Sequence, residues 1–137
     1  MIHEEICTYE VCKLAKEKGF PQAPKDNNYC DMYCWDGLRN IHLRNNWAVW
    51  YMEEYDHENL YAAPTQSLLQ RWLREEKYLF VDIGMAFNGY YYQVIRTDKF
   101  DECIGTQIVE HFNGNKFATY ELALEDALKY AFESLVI

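Results

Sequence analysis

Long hydrophobic runs are missing from this sequence. No stretch of its 137 residues approaches the roughly 18 consecutive apolar residues that a membrane span needs. Glycine is scarce, at 6, and proline scarcer, at 3, so a phosphate-cradling glycine loop or a proline-rich linker has little to be built from. Gly-x-Ser-x-Gly and His-Glu-x-x-His are both absent. There is no basic tail or stripe. Residues 1–60 carry 6 basic and 11 acidic side chains and residues 61–137 carry 7 and 11, so the halves hold −5 and −4 of a net charge of −9. A protein that grips a nucleic-acid backbone gains affinity by neutralising phosphates with Lys and Arg, and this balance argues against that role. The opening Met1-Ile2-His3-Glu4-Glu5 is acidic where a secretory or organelle signal is basic, which sets the expectation of a cytoplasmic protein. An odd number of cysteines (Cys7, Cys12, Cys30, Cys34 and Cys103) does not make a disulfide framework, and reduced thiols suit the same compartment.

What is present points to a folded domain. Half of the chain is hydrophobic and 17% is aromatic, which excludes general disorder. The length suits one domain over residues 1–137. Residues 4–18 place Cys7, Val11, Leu14 and Ala15 at helical spacing, with Gly19 as a stop. Tyr29 to Trp35 and Leu38 to Leu43 flank Asp36-Gly37, a type I′ hairpin signal. That turn sets Trp35 against Leu38, Tyr33 against Asn40, Asp31 against His42 and Cys34 against Arg39. Trp47 to Met52 reads as a third extended run, and residues 53–58 as an acidic loop. Thr65 then caps a second helix striped by Leu68, Leu69, Trp72 and Leu73. Tyr78 to Phe87 and Tyr90 to Thr97 flank Asn88-Gly89, a second type I′ signal that pairs Met85 with Tyr92 and Ile83 with Val94. Thr106 to Phe112 reads as a further strand ended by Asn113-Gly114-Asn115, and Thr119 caps a last helix to about Leu135. Adjacent strands joined by tight turns make antiparallel sheet. The expected fold is therefore α+β: a two-layer sandwich of antiparallel hairpins covered by about three helices.

The segment Ala63-Pro64-Thr65-Gln66-Ser67-Leu68-Leu69-Gln70 and the six residues after it resemble a motif of a family of small uncharacterised proteins from gut Bacteroidales and their phages and prophages. Leu14 to Phe20 is similar to the end of that family's first helix, and Thr119 to Glu125 to its last helix. The resemblance implies an accessory protein of a mobile element acting inside the bacterial cell. It brings no catalytic residues. The order helix–strand–strand–strand–helix from Thr65 to Leu135 is also similar to that of double-stranded-RNA-binding domains. That family grips phosphates with a lysine cluster at the start of its last helix, whereas here the stretch is Thr119-Tyr120-Glu121-Leu122-Ala123.

Several residue groups compete for a functional role. Cys30 and Cys34 with His42 or His57 carry zinc-ligand chemistry, but the cysteines are spaced more widely than in hairpin zinc sites and share a face with apolar neighbours, so core packing is the reading. Cys103 lies beside Asp101 and Glu102, whose charge disfavours a thiolate nucleophile. Asp31 opposite His42 has the form of an oriented base or of an ordinary cross-strand pair. No metal, cofactor or catalytic residue is assigned. The 12 Tyr, 7 Phe and 4 Trp carry the strongest signal. Tyr29, Asp31, Tyr33, Trp35 and His42 are expected on one hairpin face as an acidic, aromatic surface for a protein partner, since Tyr and Trp dominate interface hot spots. The alternative is nucleic-acid binding by the second half, through Arg71, Arg74 and Lys77. A small hydrolase or metal enzyme comes third.

Overall fold

The computed structural model describes residues 4–35, 41–44, 47–97 and 107–136. Among the described residues the architecture is α+β, with two separate three-stranded antiparallel sheets and three α-helices. Two compact units divide the chain, Met1–Thr65 and Gln66–Ile137, each holding one sheet.

In the first unit, α1 (Tyr9–Glu17) starts later than the spacing predicts, because Thr8 is its cap and accepts from the Val11 N–H at 3.4 Å. Residues 6 and 7 are extended instead. Ile6 bridges to Thr65, and the Cys7 N–H donates to the Pro64 carbonyl at 3.0 Å. The sheet has the order β2-β1-β3, with β1 at Asp31–Trp35, β2 at Ile41–Arg44 and β3 at Leu60–Ala63. β3 was not visible as a strand in a stretch of Leu, Tyr and two alanines with little β propensity. Burial accounts for it, since Leu60, Ala62 and Ala63 are core residues with Met32, Cys34, Val11, Cys12 and Ala15. Trp47–Tyr51 is a 3-10 helix and not the expected strand. Val49 turns into the core there, and the Met52 N–H donates back to the Val49 carbonyl at 3.2 Å.

The first hairpin departs from its expected register. Trp35 pairs with Ile41, Cys34 with His42, Tyr33 with Leu43 and Met32 with Arg44. The ladder closes outside residues 36–40, so the Asp36-Gly37 turn and Leu38, Arg39 and Asn40 lie outside the described residues. The slip from the expected pairing is three residues, an odd number, and an odd slip moves every side chain of the second strand to the other face. β2 leaves all four of its residues exposed. With nothing buried, hydrophobic pattern cannot pin the register.

The second unit has α2 (Gln66–Glu76), then β4 (Leu79–Ala86), β5 (Gly89–Thr97) and β6 (Gln107–Phe117) in the order β4-β5-β6, then α3 (Tyr120–Tyr130). The helices pack on the face of Leu79, Val81, Tyr92 and Val94 through Leu69, Leu73, Ala123, Leu124, Ala127, Leu128 and Phe132. Here the hairpin slips by two: Ala86 pairs with Gly89, Met85 with Tyr90 and Ile83 with Tyr92. An even slip keeps the faces, so the apolar face is the one expected. No type I′ turn forms, since neither Phe87 nor Asn88 has a positive φ; Gly89 takes it instead, at +146°. A Cβ there would meet the Phe117 carbonyl oxygen. β6 runs through Asn113-Gly114-Asn115, because those residues form a bulge: the Asn115 N–H donates to Asn113 Oδ1 at 2.9 Å while pairing resumes at Phe117 opposite Tyr90. Thr119 caps α3 by accepting from the Leu122 N–H at 3.1 Å. A π turn over Ala131–Leu135 follows, closed by the Val136 N–H on the Ala131 carbonyl at 3.0 Å.

One buried polar group ties this sheet to its helix. The Tyr92 hydroxyl donates to Asp126 Oδ2 at 2.7 Å and accepts from Asn113 Nδ2 at 3.3 Å. Burial first, then the hydrogen bond to the Asp126 carboxylate, pushes the phenol up to about 12. A pKa raised on folding means stabilisation that is complete below the unfolded value of about 10 and lost as the folded value is passed. Tyr92→Phe is expected to cost about 2 kcal/mol at neutral pH. In denaturant titrations the gap between wild type and variant should narrow as pH rises from about 10 to 12; a gap that stays constant would contradict the assignment.

Candidate functional site

The expected face of Tyr29, Asp31, Tyr33, Trp35 and His42 is only partly assembled. Asp31, Tyr33 and Trp35 alternate along β1 and share a face. His42 does not join them: it pairs with Cys34 and sits on the Met32 face. The Asp31–His42 pair is therefore corrected, since Asp31 lies opposite Ala63 on the other side of β1. Tyr29 precedes the strand, half-exposed in a turn whose Asn28 and Tyr29 both have positive φ, near 60°. Asn27 holds that turn, with its Nδ2 on the Gln22 carbonyl and its Oδ1 accepting from the Cys30 N–H.

Tyr33 belongs to the body of the unit more than to its surface. Its hydroxyl donates to the Cys7 carbonyl at 2.8 Å. Its ring meets Tyr9 edge-on at 5.8 Å, and Tyr9 meets Tyr61 in the same way at 5.2 Å. Burial, then the hydrogen bond with Tyr61, pushes the Tyr9 phenol up to about 12. Asp31 is half-buried, and burial raises its carboxyl.

Beyond Tyr33 the same face opens to solvent. Trp35 is 40% exposed, and the observed register sets beside it Ile41 at 37% and Leu43 at 38%. These two aliphatic residues were missed because the expected register turned them to the other face. The result is a contiguous apolar patch of one aromatic and two branched side chains.

The opposite edge of this sheet is closed by side chains. Lys16 Nζ donates to the carbonyls of Leu60 and His57 at 2.8 Å each and of Glu58 at 3.3 Å, while lying 4.6 Å from the centre of the Tyr61 ring. Burial lowers the Lys16 pKa, with Glu58 and Asp56 opposing. Gln22 Oε1 accepts from the Ala62 N–H at 2.8 Å. With the Cys7–Pro64 bond, an outward backbone group is engaged at Leu60, at Ala62 and at Pro64 just after β3. Next to this edge, His57 stacks on Trp50 at 3.6 Å and bonds through Nε2 to the Trp50 carbonyl, so Nε2 carries the proton.

The other candidates resolve into packing. Cys34 is buried, and burial raises its thiol as it pushes Cys30 up to about 12, which disfavours the reactive thiolate at both. Among the described residues no group of three or more His, Cys, Asp or Glu is placed to hold a metal ion; Cys103 lies outside them. The order of the second unit does match the helix–strand–strand–strand–helix outline. Two of its three expected basic residues are engaged locally, Arg71 with Glu75 at 2.9 Å and Lys77 over the Trp72 ring at 5.6 Å. No family model, no curated protein and no solved structure matches this chain.

The two aromatic residues of β1 thus have different duties, and stability measurements separate them. Tyr33→Phe removes the shorter of two bonds to the Cys7 carbonyl, which also accepts from the Cys12 thiol at 3.7 Å, and is expected to cost about 1 kcal/mol. Trp35→Ala removes a surface side chain and is expected to cost less, about 0.5 kcal/mol. Chemical denaturation giving the reverse order would mean that Trp35 supports the fold and is not available to a partner.

Proposed function

We propose that this chain is a protein-interaction module that recognises a partner protein through an acidic, aromatic surface in its first unit. The observation that carries the reading is the patch of Trp35, Ile41 and Leu43 on one sheet face. Large apolar side chains held exposed on a rigid strand cost solubility and suit the buried centre of an interface, where Trp is enriched. The acidic component is the unit's net −5 and the exposed Glu53, Glu54, Asp56 and Glu58 that follow the 3-10 helix. Such charge raises the encounter rate with basic partners and repels nucleic acid. A basic nucleic-acid-binding protein, met with carboxylates where phosphates would lie, fits this description. The resemblance to proteins of gut Bacteroidales and their phages supplies the setting, an accessory protein of a mobile element working in the bacterial cytoplasm.

Affinity capture from a bacterial lysate, with and without nuclease, tests the reading against Trp35→Ala. The expected outcome is one protein retained through nuclease treatment, released as salt rises, and lost with the variant. Retention of nucleic acid alone, abolished by nuclease, would contradict it and favour nucleic-acid binding by the second unit.

A further inference from the structure

The two edges of the first sheet are treated in opposite ways, and the ladder geometry says which backbone groups are left over. In an antiparallel ladder, the N–H and C=O groups of successive residues point alternately to one neighbour and the other. Along β3 and the residue after it, the outward residues are Leu60, Ala62 and Pro64, as shown by Lys16, Gln22 and Cys7 bonding to them. Tyr61 and Ala63 therefore face β1, where they meet Tyr33 and Asp31. It follows that Met32 and Cys34 face β2, bonding to Arg44 and His42. What remains is the outer edge of β2. Its outward backbone groups are those of Ile41 and Leu43, and no described residue bonds to them.

The same two residues supply the exposed aliphatic side chains beside Trp35. Backbone donors and acceptors thus run along the edge while an apolar strip lies on one adjoining face. We infer that β2 is a strand-addition site: a short extended segment of a partner protein pairs with Ile41 and Leu43 as a fourth strand and lays alternate apolar side chains against Ile41, Leu43 and Trp35. The segment's intervening residues fall on the face of Arg44, where a polar or acidic side chain fits. This deepens the interaction reading above and rests on it.

The occupant is a partner's segment and not a second copy. Four residues of edge bury far less than the roughly 800 Å² per partner typical of a stable protein pair, and two chains of charge −9 repel. A linear segment needs no such area, because main-chain bonds supply affinity and alternate pockets supply specificity.

The probe is a displayed library of short random peptides selected against the full chain. Leu43→Pro is the decisive variant. The Leu43 N–H points outward, so proline there removes an edge donor without taking a bond from the β1 ladder. Leu43→Val keeps the donor and a branched side chain. Enriched peptides are expected to alternate apolar and polar residues and to slow amide exchange at Ile41 and Leu43. Their affinity should fall about tenfold in Leu43→Pro and stay near wild type in Leu43→Val, with protected His42 and Arg44 amides showing that the variant folds. Peptides that lose affinity in Trp35→Ala but not in Leu43→Pro would overturn strand addition and leave the interaction reading standing. Peptides indifferent to both variants, or no enrichment, would overturn both. A wild-type dimer by light scattering that Leu43→Pro dissolves would assign the edge to a second copy and overturn the partner segment.

Discussion

A backbone N–H or C=O on the outer side of an edge strand must find water or a partner, and burying it without one costs free energy comparable to a lost hydrogen bond. β3 is an edge strand and also the most buried strand of its unit, with Leu60 and Ala62 wholly enclosed. The first unit is arranged around that conflict. The extended residues before α1 give a main-chain donor to Pro64, α1 sends Lys16 across to Leu60, and the segment after α1 sends Gln22 to Ala62. Each bond fixes a different piece of chain against the same strand. The Lys16 ammonium also gathers the carbonyls of His57 and Glu58, so a second 3-10 turn, His57–Asn59, which leads into β3, is tied to the same helix.

Once β3 is sealed, the remaining polarity of the sheet lies at β2. Nothing described covers its outward groups, its side chains are all exposed, and its apolar members share the Trp35 face. Natural proteins blunt open edges with shortness, charge or bulges. β6, the long edge of the second sheet, shows this with two register shifts and with Lys116. β2 has shortness and one charge, Arg44, and its ladder with β1 has no bulge. Its openness is the observation on which the proposed strand-addition site rests.

Periodicity and caps made much of this legible. The α2 stripe and the apolar face of the second hairpin read directly from spacing because burial backs each local signal, and Thr119 reads from its capping bond to the Leu122 N–H. The misreadings cluster where local signals compete with tertiary ones. Asp36-Gly37 is a strong turn dipeptide, yet β2 buries nothing that would enforce its register. Trp47–Tyr51 is rich in strand formers but turns so that Val49 enters the core. β3 carries almost no strand signal and is made by what packs on it. The candidate surface shifted for the first of these reasons: His42 left it, while Ile41 and Leu43 joined.

Amide hydrogen exchange along the first sheet tests the central claim, that one edge is sealed and the other open. The account predicts slow exchange at Ala62, whose N–H is held by Gln22, and at His42 and Arg44, which face β1. It predicts fast exchange at Ile41 and Leu43. Protection of Ile41 and Leu43 to the level of Ala62 would mean that β2 is already covered in the free protein, and would contradict the account.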